Sequence, residues 1–175
     1  MFKKILVALD DSDLSQGVYD RALELAQVMG AQIMLTYVLV LMDDGFADYP
    51  IGVDVFYPRL QDDVVKRHME TLNRMEKQGI ERLQYLTEHA IAAGVKAEFT
   101  QAVGDPGSRL CAHAKTWEAD LIVMGRRGRT GLTEWFLGSV SNYVLHHAPC
   151  SVLTVQHTNE PVPATETQVA TTAIS

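Results

Sequence analysis

Continuous apolar runs of strand length alternate along this chain with longer stretches whose apolar positions recur every three or four residues. The runs are Ile5 to Leu9, Ile33 to Val40, Val95 to Val103, Leu121 to Met124 and Ser151 to Val155. Ile5 to Leu9 and Leu121 to Met124 are apolar throughout, as suits strands buried on both faces. The third run differs, because Val95, Ala97 and Phe99 alternate with Lys96, Glu98 and Thr100, the pattern of a strand at a sheet edge. Between the runs, Leu14, Val18, Ala22, Leu25 and Met29 form a helical stripe closed by Gly30. Val65, Met69, Leu72, Leu83, Leu86 and Ala90 form a second, closed by Gly94. A third starts at Asp105-Pro106, with Asp as cap and Pro at the first helical position, and runs through Leu110, Ala114 and Trp117. The fourth begins at Ser139 and carries Val140, Tyr143, Val144 and His147. Strands alternating with helices imply right-handed crossovers and hence an α/β fold, a five-stranded parallel sheet with helices on both faces.

Two segments stand outside this rhythm. Met42 to Pro58 is a long connection containing Phe46, Tyr49, Phe56 and Tyr57, readable as a surface excursion with locally packed aromatics or as a lid over a ligand. Residues 156–175 are rich in Thr, Ala and Pro without a period, the composition of a flexible tail, so the folded domain is expected over residues 1–155. A chain of 175 residues with 47% hydrophobic residues can bury a sizeable single core. The net charge of −7 argues against a nucleic-acid binder. Two cysteines, Cys111 and Cys150, each lie in an apolar segment and read as small core residues, or alternatively as redox sensors; neither a disulfide framework nor a zinc spacing is indicated. The N-terminal segment reaches Asp10 too soon to hold a signal sequence, and no apolar run is long enough to span a membrane. A cytoplasmic location is the expectation.

The chemistry gathers in GRRGRTGLTEWFLGS, which follows the strand Leu121 to Met124 and precedes a helix. Gly125, Gly128 and Gly138 allow close backbone approach, and the free N–H groups at Ser139 face whatever the loop encloses. A phosphorylated small molecule is the expected occupant. The loop is not a P-loop, since no G-x4-G-K-[ST] occurs, and no G-x-G-x-x-G follows the first strand. G-x2-G-x9-G-S does resemble the pattern of the ATP-binding members of the universal stress protein family. The resemblance covers residues 2–155 and includes KKILVALDDSD, VGDP at Val103 to Pro106, DLIVMGRRG and GSVSNYVLHHAPCSVLTV.

That resemblance implies the strand order 3-2-1-4-5, with the first and fourth strands flanking a crevice at their carboxyl ends. It implies ATP as ligand, with adenine near Asp10 and Val38, and phosphates against Gly125, Gly128, Gly138 and Ser139. Met124, Arg127, Val140 and Ser141 complete the expected binding set. A divalent ion such as Mg²⁺ would ride on the phosphates, with no dedicated protein cage for it. Family members commonly pair their last strands across a two-fold axis, which implies a homodimer through Val152, Leu153 and Val155.

Several of these residues also have plainer roles. Asp10 can cap the following helix, as can Asp11, Ser12 and Asp13; binding is assigned to Asp10, capping and helix-dipole complementarity to Asp11 and Asp13. Arg126, Arg127 and Arg129 can pair with phosphate or simply face solvent, so backbone contact from Arg127 and Gly128 is the narrower expectation. Ser139 is readable as an N-cap as well as a ligand. His113 lies mid-helix, and His146 stands roughly 10 Å along its helix from Ser139, so no Ser-His-Asp constellation follows. The expected function is a nucleotide-binding stress or signalling module with at most slow hydrolysis and no assignable catalytic residue. The rivals are an ATPase or a nucleotidyl or phosphoryl transferase, and a protein-interaction module with a vestigial pocket.

Overall fold

The computed structural model describes residues 1–40, 58–126 and 138–156. The expectations for residues 42–57, Arg127, Gly128, Arg129 and the tail beyond Gln156 lie outside them. The strands are β1 (Lys4–Leu9), β2 (Gln32–Leu39), β3 (Ala97–Val103), β4 (Leu121–Gly125) and β5 (Ser151–Val155). The helices are α1 (Leu14–Met29), α2 (Pro58–Ala92), α3 (Pro106–Trp117) and α4 (Ser139–His147). The sheet is parallel throughout and ordered β3-β2-β1-β4-β5, so the expected order holds, with β3 and β5 at its edges.

Strand alternation sends successive side chains of β1 into two separate cores. Ile5 and Val7 join Leu35, Val123, the α1 residues Val18 and Ala22, and Leu83 and Leu86 of α2. Leu6 joins Ile122 and Met124, Leu110 and Ala114 of α3, and Val144 of α4. Ile5, Leu6, Val7, Ile122 and Val123 are fully buried, which is why β1 and β4 read as unbroken apolar runs. Truncating Ile5, Leu6 or Ile122 to alanine would remove about 2–5 kcal/mol.

The helix ends follow local chemistry. Asp105, extended at φ −71° and ψ 119°, accepts the Ser108 N–H at 2.8 Å ahead of Pro106. Gly30 ends α1 in the left-handed conformation at φ 64°, where a side chain would be strained. Asp13 departs from expectation: it occupies the N-cap of α1 with helical angles, φ −61° and ψ −25°, and its side chain makes no capping bond. A cap needs an extended backbone to turn its oxygen back over the first turn, and Asp13 lacks it.

The apolar stripe of α2 is also only half realised. Leu83, Leu86 and Ala90 are buried, but Met69 is 52% exposed. Thirty-five helical residues span about 52 Å, more than twice the length of a seven-residue strand, so the first half of α2 projects beyond the sheet.

Candidate functional site

Register places the candidate residues in one row at the carboxyl edge of the sheet. Leu9 pairs with Tyr37, so Asp10 and Val38 stand level one position further on. Val7 pairs with Val123, which brings Gly125 and Arg126 to the same edge beside Asp10. Val38 and Val140 pack against the cluster that contains buried Met124, so these three apolar candidates share the second core's side of the sheet.

Asp10 sits half-buried in a turn held by its neighbours. Its N–H donates to Ser15 Oγ at 3.1 Å, and its Oδ1 accepts from the N–H of Ser12 at 3.1 Å and from Ser12 Oγ at 2.5 Å. Among the described residues Oδ2 has no hydrogen-bond partner, leaving one carboxylate oxygen for a ligand. Asp11 points to the opposite face, where Oδ2 accepts from Tyr37 Oη at 2.8 Å and Oδ1 lies 4.0 Å from Arg82 Nη1.

The ends of the glycine segment are held together. Gly138 N–H donates to the Arg126 carbonyl at 3.1 Å, and Ser141 Oγ lies 2.8 Å from that same carbonyl and 2.9 Å from the Gly138 carbonyl. The cap of α4 is Gly138, and the helix begins at Ser139 as expected, so the alternative reading of Ser139 as the cap does not hold. Asn142 N–H makes the first helical bond, to Gly138, so the N–H groups of Ser139, Val140 and Ser141 lie outside the helical ladder. Three donors at the positive end of the helix dipole, beside exposed Ser139, can receive an anion. The buried Ser141 hydroxyl is committed inward, which leaves its N–H as the group it can offer.

The Arg126 side chain reaches the end of β5, its Nη1 donating to Gln156 Oε1 at 2.8 Å. His113 Nδ1 is buried without a partner among the described residues, and burial, with the charge of Arg109 second, lowers its pKa. His147 Nδ1 lies 2.8 Å from the Tyr143 carbonyl, far along α4 from the crevice. Cys111 and Cys150 pack against the second core as expected, and burial pushes both thiols up, helped at Cys111 by Asp105 and at Cys150 by Asp120 and Cys111. Among the described residues no group of three His, Cys, Asp or Glu is placed to hold a metal ion. No described helix is long and apolar enough to cross a membrane.

A parallel sheet of this order, with an anion-receptive helix start at the β1–β4 switch point, defines an α/β fold of the nucleotide-binding type. The universal stress protein family model matches residues 1–156, and the chain belongs to that family. Universal stress protein Sll1388 of Synechocystis is 40% identical over 159 residues, covering 89% of this chain and 99% of the relative. Among solved structures, the protein MJ0577 superposes with a TM-score of 0.70 at 23% identity, over 91% of this chain and 99% of the other. An Arabidopsis thaliana family member with AMP bound has a TM-score of 0.57 at 20% identity, over 93% and 97%. The Archaeoglobus fulgidus protein in complex with dAMP has a TM-score of 0.54 at 20% identity, over 87% and 97%.

Proposed function

We propose that this chain is a cytoplasmic stress-response module that binds an adenine nucleotide, ATP in particular, in the crevice between β1 and β4. One observation carries the reading: the Asp10 carboxylate, the apolar residues Val38, Met124 and Val140, and the three N–H groups of α4 that have no partner among the described residues converge on one edge of the sheet. AMP and dAMP in structural relatives of the same fold support the adenine part. Adenine lies over Val38 with its ribose or amino group at Asp10, and the phosphates reach Gly125, Gly128, Gly138 and Ser139, with Arg127 contributing backbone. A divalent ion enters with the triphosphate and is held by phosphate oxygens. No residue of the described crevice has a secure position to activate water, so the module senses nucleotide and hydrolyses it slowly at most.

The active unit is a homodimer through the β5 edge, centred on Val152, Leu153 and Val155. Beside that edge the exposed Leu153 and Val28 flank a groove with Leu25 and Val155, an apolar surface that a second copy would cover.

Calorimetric titration of AMP, ADP and ATP-Mg tests the nucleotide assignment. Gly138→Val is expected to lose most affinity while keeping the fold, because a branched side chain stands where phosphate must approach the backbone. Ser139→Ala should cost about 1 kcal/mol, one hydrogen bond among several. Parental affinity in the glycine variant would place the phosphates elsewhere.

A further inference from the structure

Asp10 is held by three local bonds and one distant one. Ser12 belongs to the same turn, so its bonds shape the turn itself, while Ser15, buried in the first turn of α1, ties the Asp10 N–H to that helix. The distant bond comes from Arg82, 72 positions along the chain, whose Nη1 donates to the Asp10 carbonyl at 2.7 Å. Arg82 sits on α2 next to Leu83, which is fully packed into the first core. The guanidinium therefore gives the Asp10 carbonyl its own tie to the rigid frame, from α2, beside the tie that α1 makes to the Asp10 N–H.

The same guanidinium lies 4.0 Å from Asp11 Oδ1, while Asp11 Oδ2 accepts from Tyr37 Oη on β2. Arg82 and Tyr37 thus grip the residue after Asp10 on the α2 side of the sheet. With Asp11 drawn to that side and the Asp10 carbonyl pinned, the Asp10 side chain is left for the other side of the sheet, the side of Val38 and Met124. A carboxylate that must meet a ligand edge benefits from such fixing, since orientation settled in advance is not lost on binding.

We propose that Arg82 is a positioning residue for nucleotide recognition: held on α2, it orients the Asp10 carboxylate towards the crevice through the Asp10 carbonyl and Asp11, without touching the ligand. This rests on the assignment of Asp10 to the nucleotide. The choice of arginine follows from its geometry, because one planar group with several donors serves a carbonyl and a carboxylate at once, which an ammonium on a single stem does less well.

A double-mutant cycle with AMP as the probe tests the proposal in the full-length protein. Arg82→Met keeps the apolar stem and removes the donors. It should weaken AMP about fivefold, the lower range of coupling between linked sites, and Arg82→Lys should lie between it and the parent. In an Asp10→Ala background Arg82→Met should change AMP affinity no further, because its effect passes through that carboxylate. A general structural role would instead weaken AMP equally in both backgrounds and overturn the proposal. If Arg82→Met does not fold, Arg82→Lys carries the same cycle. Parental AMP affinity in the Arg82 variants, with affinity lost in Asp10→Ala, would overturn the role of Arg82 and leave the nucleotide site standing. Parental affinity in Asp10→Ala would overturn both.

Discussion

The ring of Tyr143 occupies the space that a side chain on Gly107 would need: a Cβ there would stand 2.7 Å from Cδ1 and 2.9 Å from Cγ. Gly107 lies in the first turn of α3, and Tyr143 lies one turn past Ser139 in α4. The missing side chain lets the two helices close, and the Tyr143 ring in turn stacks on His147 at 4.1 Å. The N–H groups at the start of α4 are thereby located from the side as well as from the sheet.

Gly107→Ala sets two effects against each other. Alanine in a helix is worth roughly 0.5–1 kcal/mol over glycine. Overpacking against the base of a ring, which cannot swing aside as a chain tip can, costs about 1–3 kcal/mol. The expected result is net destabilisation in urea unfolding together with weaker AMP binding, as α4 moves. A more stable variant would show that the helices do not meet so closely.

Asp10 and Asp13 make a controlled pair of carboxylates three residues apart. Asp10→Ala is expected to lose AMP affinity, because the proposed site uses the carboxylate oxygen that has no partner among the described residues. Asp13 makes no capping bond, so Asp13→Ala should shift neither the binding nor the unfolding free energy by more than about 0.5 kcal/mol, the range of an exposed surface change. Equal losses in the two variants would point to general charge and away from a specific contact.

How far the sequence leads depends on the kind of interaction. Ile5 to Val7 and Leu121 to Val123 announced buried strands because both of their faces meet a core, and alternation in Val95 to Thr100 announced the β3 edge. Asp105, Pro106 and Gly30 could be read because caps act over three or four residues. Strand order came from resemblance, since periodicity says nothing about which strands are neighbours. Arg82 gave no signal, being one charge among many on a long helix, and its partner lies 72 residues away. Gly107 failed to signal for the same reason, because only the crossing of two helices gives its missing side chain a meaning. Met69 fits the apolar stripe and is nevertheless exposed, as a stripe does not reveal where the sheet beneath it ends.

Tyr19 predicts an alkaline signature. It is 1% exposed between α1 and α2, and its hydroxyl lies 2.9 Å from the Leu86 carbonyl and 2.8 Å from His89 Nδ1. Burial above all, with Asp20 and Tyr85 adding to it, pushes its pKa up from 10.0 to about 12. The protonated form is the one the fold favours, so this contribution is complete below pH 10 and falls away as pH rises towards 12. A two-unit difference corresponds to roughly 2–3 kcal/mol. Thermal midpoints measured from pH 8 to 12 should therefore fall more steeply in the parent than in Tyr19→Phe. Parallel curves would mean that Tyr19 ionises in the folded state as freely as in the unfolded one.

The proposed dimer turns on Leu153. β5 is uncharged and at the sheet edge, and Leu153 is 39% exposed there although its neighbour Val155 packs against the first core. An edge of this kind invites pairing, and a strand laid antiparallel against its own copy satisfies both ladders under two-fold symmetry. Leu153→Lys puts a charge at that axis in each copy, so two like charges would have to be buried together. Because the residue is already partly exposed in the single chain, the lysine should leave the fold intact. Light scattering is expected to show monomer for this variant and dimer for the parent, with Val28→Lys, beside the same groove, weakening the dimer to a lesser degree. An unchanged dimer mass in Leu153→Lys would move the interface away from β5.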